Sequence, residues 1–156
     1  MLVPEAEPFV GELRRSSTPS GREGMEAHVT VLAPFRHASA LDDDALVVLA
    51  RLFAEHAAFD FELASVERFD EGTVYLAPVP PKPFVALTEA VTARFPEHEP
   101  YGGAFEYAVP HLTVGRDVEC VVPLPIRATA RGVALVRRGD DLRWHVWHSF
   151  PLRSRP

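Results

Sequence analysis

A tetrapeptide of the form His, aliphatic, Thr, Val occurs twice in the chain, at residues 28–31 (the first motif) and residues 111–114 (the second motif), which begin 83 residues apart. Each lies in a strand-like run near a proline, Pro34 after the first and Pro110 before the second. Because side chains alternate between the two faces of a strand, the histidine and threonine of each motif project together. The two aliphatic residues of each motif are then expected to be buried.

If the two strands meet at one cleft, two imidazoles and two hydroxyls face the same space, and this set suits the cleavage of a phosphodiester. One neutral histidine takes a proton from the attacking oxygen, and the other, protonated, gives a proton to the leaving oxygen. Threonine hydroxyls donate hydrogen bonds to the non-bridging phosphate oxygens. An ordinary histidine pKa of about 6.5 lets both protonation states coexist near neutrality. This chemistry requires no metal ion and no cofactor.

The elements that must position these motifs follow from the spacing of apolar residues and from the 15 prolines and 9 glycines. Helices are predicted over residues 6–15, over a segment that is capped at 42–44 and runs to residue 53, and over residues 83–94. Strands are predicted over residues 27–35, 59–69, 73–79 and 110–115. Residues 127–138 and 141–152 are predicted to pair as a hairpin. Residues 14–24 are predicted to form a mobile surface loop. Since strands occur in runs, the pattern predicts an α+β fold with largely antiparallel sheets. No linker marks a boundary, so residues 1–156 are expected to form one domain.

The paired motifs resemble those of the 2H phosphoesterase superfamily. The stretches AHVTVLAPF and PHLTVGR are most similar to its 2′-5′ RNA ligase (LigT-like) family. The resemblance implies a bilobal α+β fold with two largely antiparallel sheets, pseudo-two-fold symmetry, helices on the outside and a site in the groove between the lobes. It also implies that His28 and His111 are the catalytic acid–base pair and that Thr30 and Thr113 bind the substrate phosphate. The first motif continues as residues 32–35, Leu-Ala-Pro-Phe, where many members of the family have Phe-Leu-Gly.

Composition excludes several other classes of protein. Hydrophobic residues make up 47% of the chain, yet no run approaches the roughly 18 apolar residues of a membrane span. The single cysteine, Cys120, allows no internal disulfide and no zinc knuckle, and a reducing cytoplasm is the expected location. A net charge of −6 argues against non-specific coating of nucleic acid. Residues 120–156 hold seven arginines against two aspartates, a balance of +5 that suits a local anionic ligand or the solvated face of a hairpin.

Aromatic and basic residues near the motifs are weaker candidates for substrate contacts. Several aromatic residues are candidates for stacking on a base, although ordinary packing in the fold is the preferred interpretation. These aromatic residues are Phe35, Tyr101, Phe105, Tyr107, Trp144 and Trp147. Three arginines of the C-terminal hairpin are candidates for contacts to a phosphate, although simple exposure to solvent is the preferred interpretation. They are Arg137, Arg138 and Arg143. His145 and His148 are three positions apart on a strand and therefore face opposite sides, which argues against a metal site.

The sequence thus predicts a monomeric, metal-independent phosphodiesterase. Its expected substrate is a 2′,3′-cyclic phosphate or 2′-5′ phosphodiester of a nucleotide or RNA end, and the reverse ligation uses the same geometry. Near-symmetric motifs leave open which histidine is the acid. The alternative is a module that binds a nucleotide or RNA end in the same groove without chemistry. A third possibility is an α+β interaction domain with no phosphate site.

Overall fold

Strands follow one another in runs along the chain, and helices connect these runs. The computed structural model describes residues 1–36, 40–103 and 109–155. The helices are α1 (Glu7–Ser17), α2 (Pro19–Arg22), α3 (Asp43–Glu55) and α4 (Lys82–Arg94), with a short 3-10 helix at Pro100–Gly103. The strands are β1 (Phe59–Arg68), β2 (Thr73–Val79), β3 (Leu112–Arg116), β4 (Ile126–Ala130), β5 (Gly132–Arg138) and β6 (Trp144–Pro151).

The strands form two antiparallel sheets in the described part of the chain. One sheet has the order β3-β2-β1-β4, and the other is the hairpin of β5 and β6. The predicted α+β class with antiparallel sheets is confirmed. Within the described ranges, no helix combines the length and the apolar character that crossing a membrane requires.

Helices α3 and α4 bury one face each against the sheets. The Phe53 ring of α3 lies 5.6 Å from the Phe150 ring of β6, measured between centroids. The Phe84 ring of α4 packs edge-on against Phe59 and Phe61 of β1, each at 5.0 Å. Burial of such a ring contributes about 1.5–3 kcal/mol, so these contacts tie both helices firmly to the sheets.

The predicted start of α3 is confirmed at its first turn. The Asp42 carboxylate accepts a hydrogen bond from the Ala45 N–H at 2.8 Å, which satisfies a donor that the helix itself leaves unpaired. Asp43 and Asp44 follow in the first turn, where negative charge is favourable beside the helix dipole.

The predicted strand over residues 27–35 is wrong as a regular strand. The segment forms an isolated antiparallel bridge between His28 and Leu2, with backbone hydrogen bonds from Val3 to Ala27 and from Val29 to Met1. In this register Pro4 lies opposite Glu26, before the motif, and residues 30–35 pair with no described segment in a strand ladder. The Val31 carbonyl instead accepts from the Thr88 hydroxyl of α4 at 2.8 Å.

Two other predictions also need correction. Residues 14–24 do not form a mobile surface loop, because α1 extends to Ser17 and α2 follows, capped by a hydrogen bond from the Gly21 N–H to the Thr18 hydroxyl. The segment 127–138 is two strands: β4 pairs with β1 and β5 pairs with β6. The predicted hairpin is therefore confirmed for β5 and β6, whereas β4, the first part of segment 127–138, belongs to the other sheet.

Candidate functional site

The burial of the first motif follows the expected alternation although the segment is not a regular strand. Val29 and Val31 are buried, whereas His28 and Thr30 are half-buried. Burial of the two valines against the core fixes the direction in which the histidine and threonine project. The histidine and threonine of the first motif thus lie on the same side of the segment even though the segment is not part of a regular strand ladder.

The second motif lies at the start of β3 and alternates in the same way. Leu112 and Val114 are fully buried, while His111 and Thr113 are half-buried. The strand is fixed on one side by β2, where Thr113 lies opposite Tyr75. On the other side, the Ser17 hydroxyl of α1 donates to the Val114 carbonyl at 2.9 Å.

Both histidines make the same local hydrogen bond. The Nδ1–H of His28 donates to the Glu26 carbonyl at 2.7 Å, and that of His111 donates to the Val109 carbonyl at 2.7 Å. With the proton of the neutral ring at Nδ1, the lone pair is at Nε2. Each ring is therefore oriented by the backbone two residues before it, and Nε2 is the atom suited to proton transfer.

Burial lowers the pKa of His28 to about 4, and the positive charges of Arg14, the Met1 amino group and His111 act in the same direction. The backbone hydrogen bond to Glu26 opposes this shift without cancelling it. The Arg14 guanidinium lies 3.4 Å from His28 Nδ1 and also donates to the carbonyl of Thr113, so the fold brings the two motifs into one region.

The pKa of His111 is also lowered by burial, but the Glu71 carboxylate favours its protonated form. Its ring packs edge-on against Phe69 at 5.1 Å and against Tyr75 at 5.5 Å, between centroids. The Tyr75 hydroxyl donates to the Glu67 carboxylate at 2.9 Å. The two histidines thus have different surroundings, with cations nearest His28 and aromatic rings and a carboxylate near His111.

A cleft of about 530 Å³ opens beside the first motif. His28 and Thr30 line it, together with largely apolar side chains that include Leu32 and Phe35. The opposite wall comes from the β5–β6 hairpin, and its cleft-facing residues include Arg137, Arg138, Trp144 and Trp147. The Arg137 guanidinium lies over the Trp147 ring at 4.8 Å from the centroid. Such a cleft, mostly apolar with a few polar groups, is typical of a small-molecule site.

The structure places some of the weaker candidates in the lining of the cleft and others outside it. The cleft is lined by Phe35, Trp144, Trp147, Arg137 and Arg138, whereas Arg143 is absent from that lining. Phe105 and Tyr107 lie outside the described residues. Arg138 also forms an ion pair with Glu23 at 2.8 Å, which leaves Arg137 as the better placed of the two for an incoming anion.

Sequence reasoning missed Arg14. Its side chain is 1% exposed and lies between the two motifs, where its guanidinium donates to the carbonyls of Met25, Glu26 and Thr113. The signal was present as a spacing of four, since Ala6, Val10 and Arg14 share one helix face and the first two are fully buried.

No arrangement typical of a metal centre occurs in the parts of the chain that the structure describes. Among these residues, no three His, Cys, Asp or Glu side chains are grouped so that they could hold an ion. Cys120 is half-buried and burial raises the pKa of its thiol, which disfavours the reactive thiolate.

The chain belongs to the 2′-5′ RNA ligase superfamily, whose sequence model matches residues 2–142. Among solved structures, TT0787 of Thermus thermophilus is similar with a TM-score of 0.68 at 21% identity, covering 97% of this chain and 92% of that one. E. coli LigT complexed with 3′-AMP gives a TM-score of 0.61 at 18% identity, covering 97% and 94%. E. coli LigT complexed with NADP+ gives 0.62 at 17% identity, covering 98% and 94%. The comparison with curated proteins finds no match.

Proposed function

We propose that the protein is a metal-independent phosphodiesterase that opens a 2′,3′-cyclic phosphate or cleaves a 2′-5′ phosphodiester of a nucleotide or RNA end. The observation that carries this proposal is the matched geometry of His28 and His111. Each donates from Nδ1 to the carbonyl two residues before it, and the charge of His111 acts on the pKa of His28. Two oriented imidazoles are the minimal set for acid–base cleavage without a metal.

In this proposal His28 is the general base and His111 the general acid. A pKa of about 4 keeps His28 neutral near pH 7, and its Nε2 lone pair accepts a proton from the attacking water. The water oxygen forms a new bond to phosphorus while the bond to one ribose oxygen breaks. The departing oxygen takes its proton from Nε2 of His111, whose protonated form is favoured by Glu71. When the hydroxyl of a second RNA end replaces water as the attacking group, its oxygen bonds to phosphorus, one ring P–O bond of the cyclic phosphate breaks, and the same two proton transfers join the ends.

Thr30 and Thr113 are proposed to bind the non-bridging phosphate oxygens. Each shares the half-buried face of its motif with the histidine two residues earlier, so its hydroxyl lies on the side from which the imidazole acts. Two hydroxyl donors stabilise the charge that develops on phosphorus oxygens in the transition state.

The cleft next to His28 is proposed to hold the nucleoside. Its apolar floor and the Trp147 ring suit the flat face of a base, and Arg137 adds a positive charge at the same wall. The structural similarity to LigT supports this proposal, since LigT has been solved with 3′-AMP, NADP+ and ATP.

The test is hydrolysis of a panel of nucleoside 2′,3′-cyclic phosphates and 2′-5′-linked dinucleotides in the presence of EDTA. Wild type is compared with the double variant His28→Ala/His111→Ala and with His145→Ala, an exposed histidine of β6 that serves as the control. We expect turnover by the wild type and the control and none by the double variant. Turnover by the double variant, or loss of turnover on adding EDTA, would overturn the mechanism.

One observation favours a second candidate, a module that binds nucleotides without cleaving them. The large cleft is lined by His28 and Thr30 of the first motif, whereas no residue of the second motif is part of its lining. A binder shows saturable affinity for a nucleoside monophosphate and leaves every cyclic or 2′-5′-linked compound of the panel intact.

A further inference from the structure

Arg14 has an unusual position for a charged side chain. It lies on the inner face of α1, is 1% exposed, and contacts the backbone of segments that are far apart in sequence. Its Nη2 donates to the Met25 and Glu26 carbonyls at 3.4 and 3.3 Å, and its Nη1 donates to the Thr113 carbonyl. One guanidinium therefore connects the turn before the first motif to the second motif itself.

Burial of this cation is costly. Removing a charge from water carries a large desolvation penalty, and in the described part of the chain no carboxylate oxygen lies within 4.0 Å of the guanidinium. Its Nε–H has no acceptor among those residues, and burial lowers its pKa. Backbone carbonyls and the more distant charge of Glu7 provide the compensation. An apolar residue would fill the inner face of α1 at a lower cost in desolvation.

The carbonyls that Arg14 contacts belong to the same backbone that orients the histidines. The Glu26 oxygen accepts both from Arg14 and from Nδ1–H of His28, and Arg14 Nη2 itself lies 3.4 Å from His28 Nδ1. Thr113 of β3 is two residues after His111, which directly precedes the strand, and both side chains are half-buried. A shift of the guanidinium thus moves both the acceptor that fixes one ring and the strand that carries the other.

We propose that Arg14 is a positioning residue that sets the distance and relative orientation of His28 and His111 by bridging the backbones of the two motifs. The inference rests on the proposed function for its kinetic consequence, while the bridge itself can be tested without turnover. The planar fork of arginine is essential to this role, because its separate N–H groups reach carbonyls on both sides at once. A lysine in its place carries the charge but presents a single ammonium.

The experiment compares Arg14→Lys and Arg14→Met with Arg15→Met, the neighbouring exposed arginine of α1, which pairs with Glu7. We expect kcat on the cyclic phosphate to fall about 100-fold in both Arg14 variants, because a displacement of about 1 Å costs that much. KM is expected to stay within about threefold, and Arg15→Met to behave as wild type. A folded Arg14 variant with kcat within about threefold of wild type overturns the proposal.

A second readout follows the histidine rings by nitrogen-15 NMR and does not depend on activity. In the wild type we expect both neutral rings to carry the proton at Nδ1. In Arg14→Met the resonances of His28 and His111 should both shift and the pKa of His28 should rise, because the guanidinium charge is gone. In Arg14→Lys the resonances should shift while the pKa of His28 stays low, because the charge remains.

The two readouts separate failure of this inference from failure of the proposed function. A wild type that turns over no substrate, with ring resonances that respond to Arg14 as stated, refutes the catalytic proposal and supports the bridge. Unchanged resonances in both variants refute the bridge, whatever the activity. If neither variant folds, Arg14 serves the stability of the whole chain and the assignment as a positioning residue is wrong.

Discussion

The Nδ1–H of His28 and that of His111 donate to carbonyls two residues earlier, and the two hydrogen bonds have the same length of 2.7 Å. The surroundings of the two rings differ, however, since burial and the Arg14 guanidinium disfavour the charged form of His28, whereas a carboxylate favours that of His111. Equal orientation with unequal electrostatics allows two chemically identical side chains to take opposite roles in proton transfer.

The pH dependence of kcat/KM should reflect this difference. A base must be neutral, so the rate should rise as the pH increases through the His28 pKa of about 4. An acid must be protonated, so the rate should fall as the pH increases through the His111 pKa, which burial holds below its usual value. We therefore expect a bell-shaped profile with its maximum on the acidic side of about pH 6.5. Initial rates at low substrate between about pH 3.5 and 9 check this, and a maximum above about pH 8 contradicts it.

Removing either motif hydroxyl should lower kcat more than it affects KM. Thr30→Val and Thr113→Val keep the shape of the side chain and delete one donor to the phosphate, which costs about 100- to 1,000-fold in comparable sites. Thr129→Val on β4, whose hydroxyl bonds Asp60 at the surface, is the control and should behave as wild type. Steady-state kinetics on a cyclic nucleotide provide the comparison. Equal kcat in all three variants would exclude the threonines from phosphate binding.

Stability should depend on pH through His28. Its pKa is about 4 in the folded chain and about 6.5 when unfolded, so the unfolded state binds more protons between these values. The free energy of unfolding should therefore fall as the pH decreases from about 6.5 to about 4, by a contribution on the order of 3 kcal/mol. His28→Asn keeps an N–H for the Glu26 carbonyl and removes the titration. Urea denaturation at several pH values should show a flatter dependence for this variant, and identical slopes would refute the assignment.

The hairpin wall of the cleft should govern nucleotide affinity. Trp147→Ala removes a ring that can stack on a base, an interaction worth about 1–3 kcal/mol, and it also removes the support of Arg137. We expect KM to rise about tenfold or more with kcat changed little. The matched control is Arg127→Ala. Arg127 is an exposed residue of β4 that forms an ion pair with Glu62 of β1. Calorimetric titration with a nucleoside monophosphate checks the affinity directly, and unchanged binding places the base elsewhere.

The face that each motif presents could be predicted from the sequence because it depends on local alternation alone. His28 and Thr30 stay on one side of their segment even though, among the described residues, a single bridge to Leu2 replaces the expected strand. The strand itself could not be predicted, since its extent depends on how far a partner segment pairs with it, and the described pairing is the bridge to Leu2. Strand propensity is a property of one chain segment, whereas a hydrogen-bonded strand ladder requires two paired segments.

For Arg14 the inward direction could be predicted from the sequence, but its hydrogen-bond partners could not. A guanidinium at a helix end next to Ser16 and Ser17 is ordinarily solvated, and the acceptors that permit its burial include the carbonyl of Thr113, 99 positions away. The helical spacing of Ala6, Val10 and Arg14 indicates an inward direction, but it gives no sign of a polar partner. Long-range satisfaction of buried polar groups becomes visible only in the folded chain.

Among the described residues, the β5–β6 hairpin exchanges ladder hydrogen bonds only between its own two strands. It attaches to the N-terminal region through the Glu23–Arg138 ion pair and through the Trp144 N–H, which donates to the Glu23 carbonyl at 2.9 Å. Insertions or substitutions in its turn therefore break no pairing in the four-stranded sheet that carries the second motif. The wall that we propose to contact the nucleoside can therefore change in sequence while the two His–x–Thr motifs stay intact. Homologues that differ in this hairpin are accordingly expected to diverge in ligand preference before they diverge in chemistry.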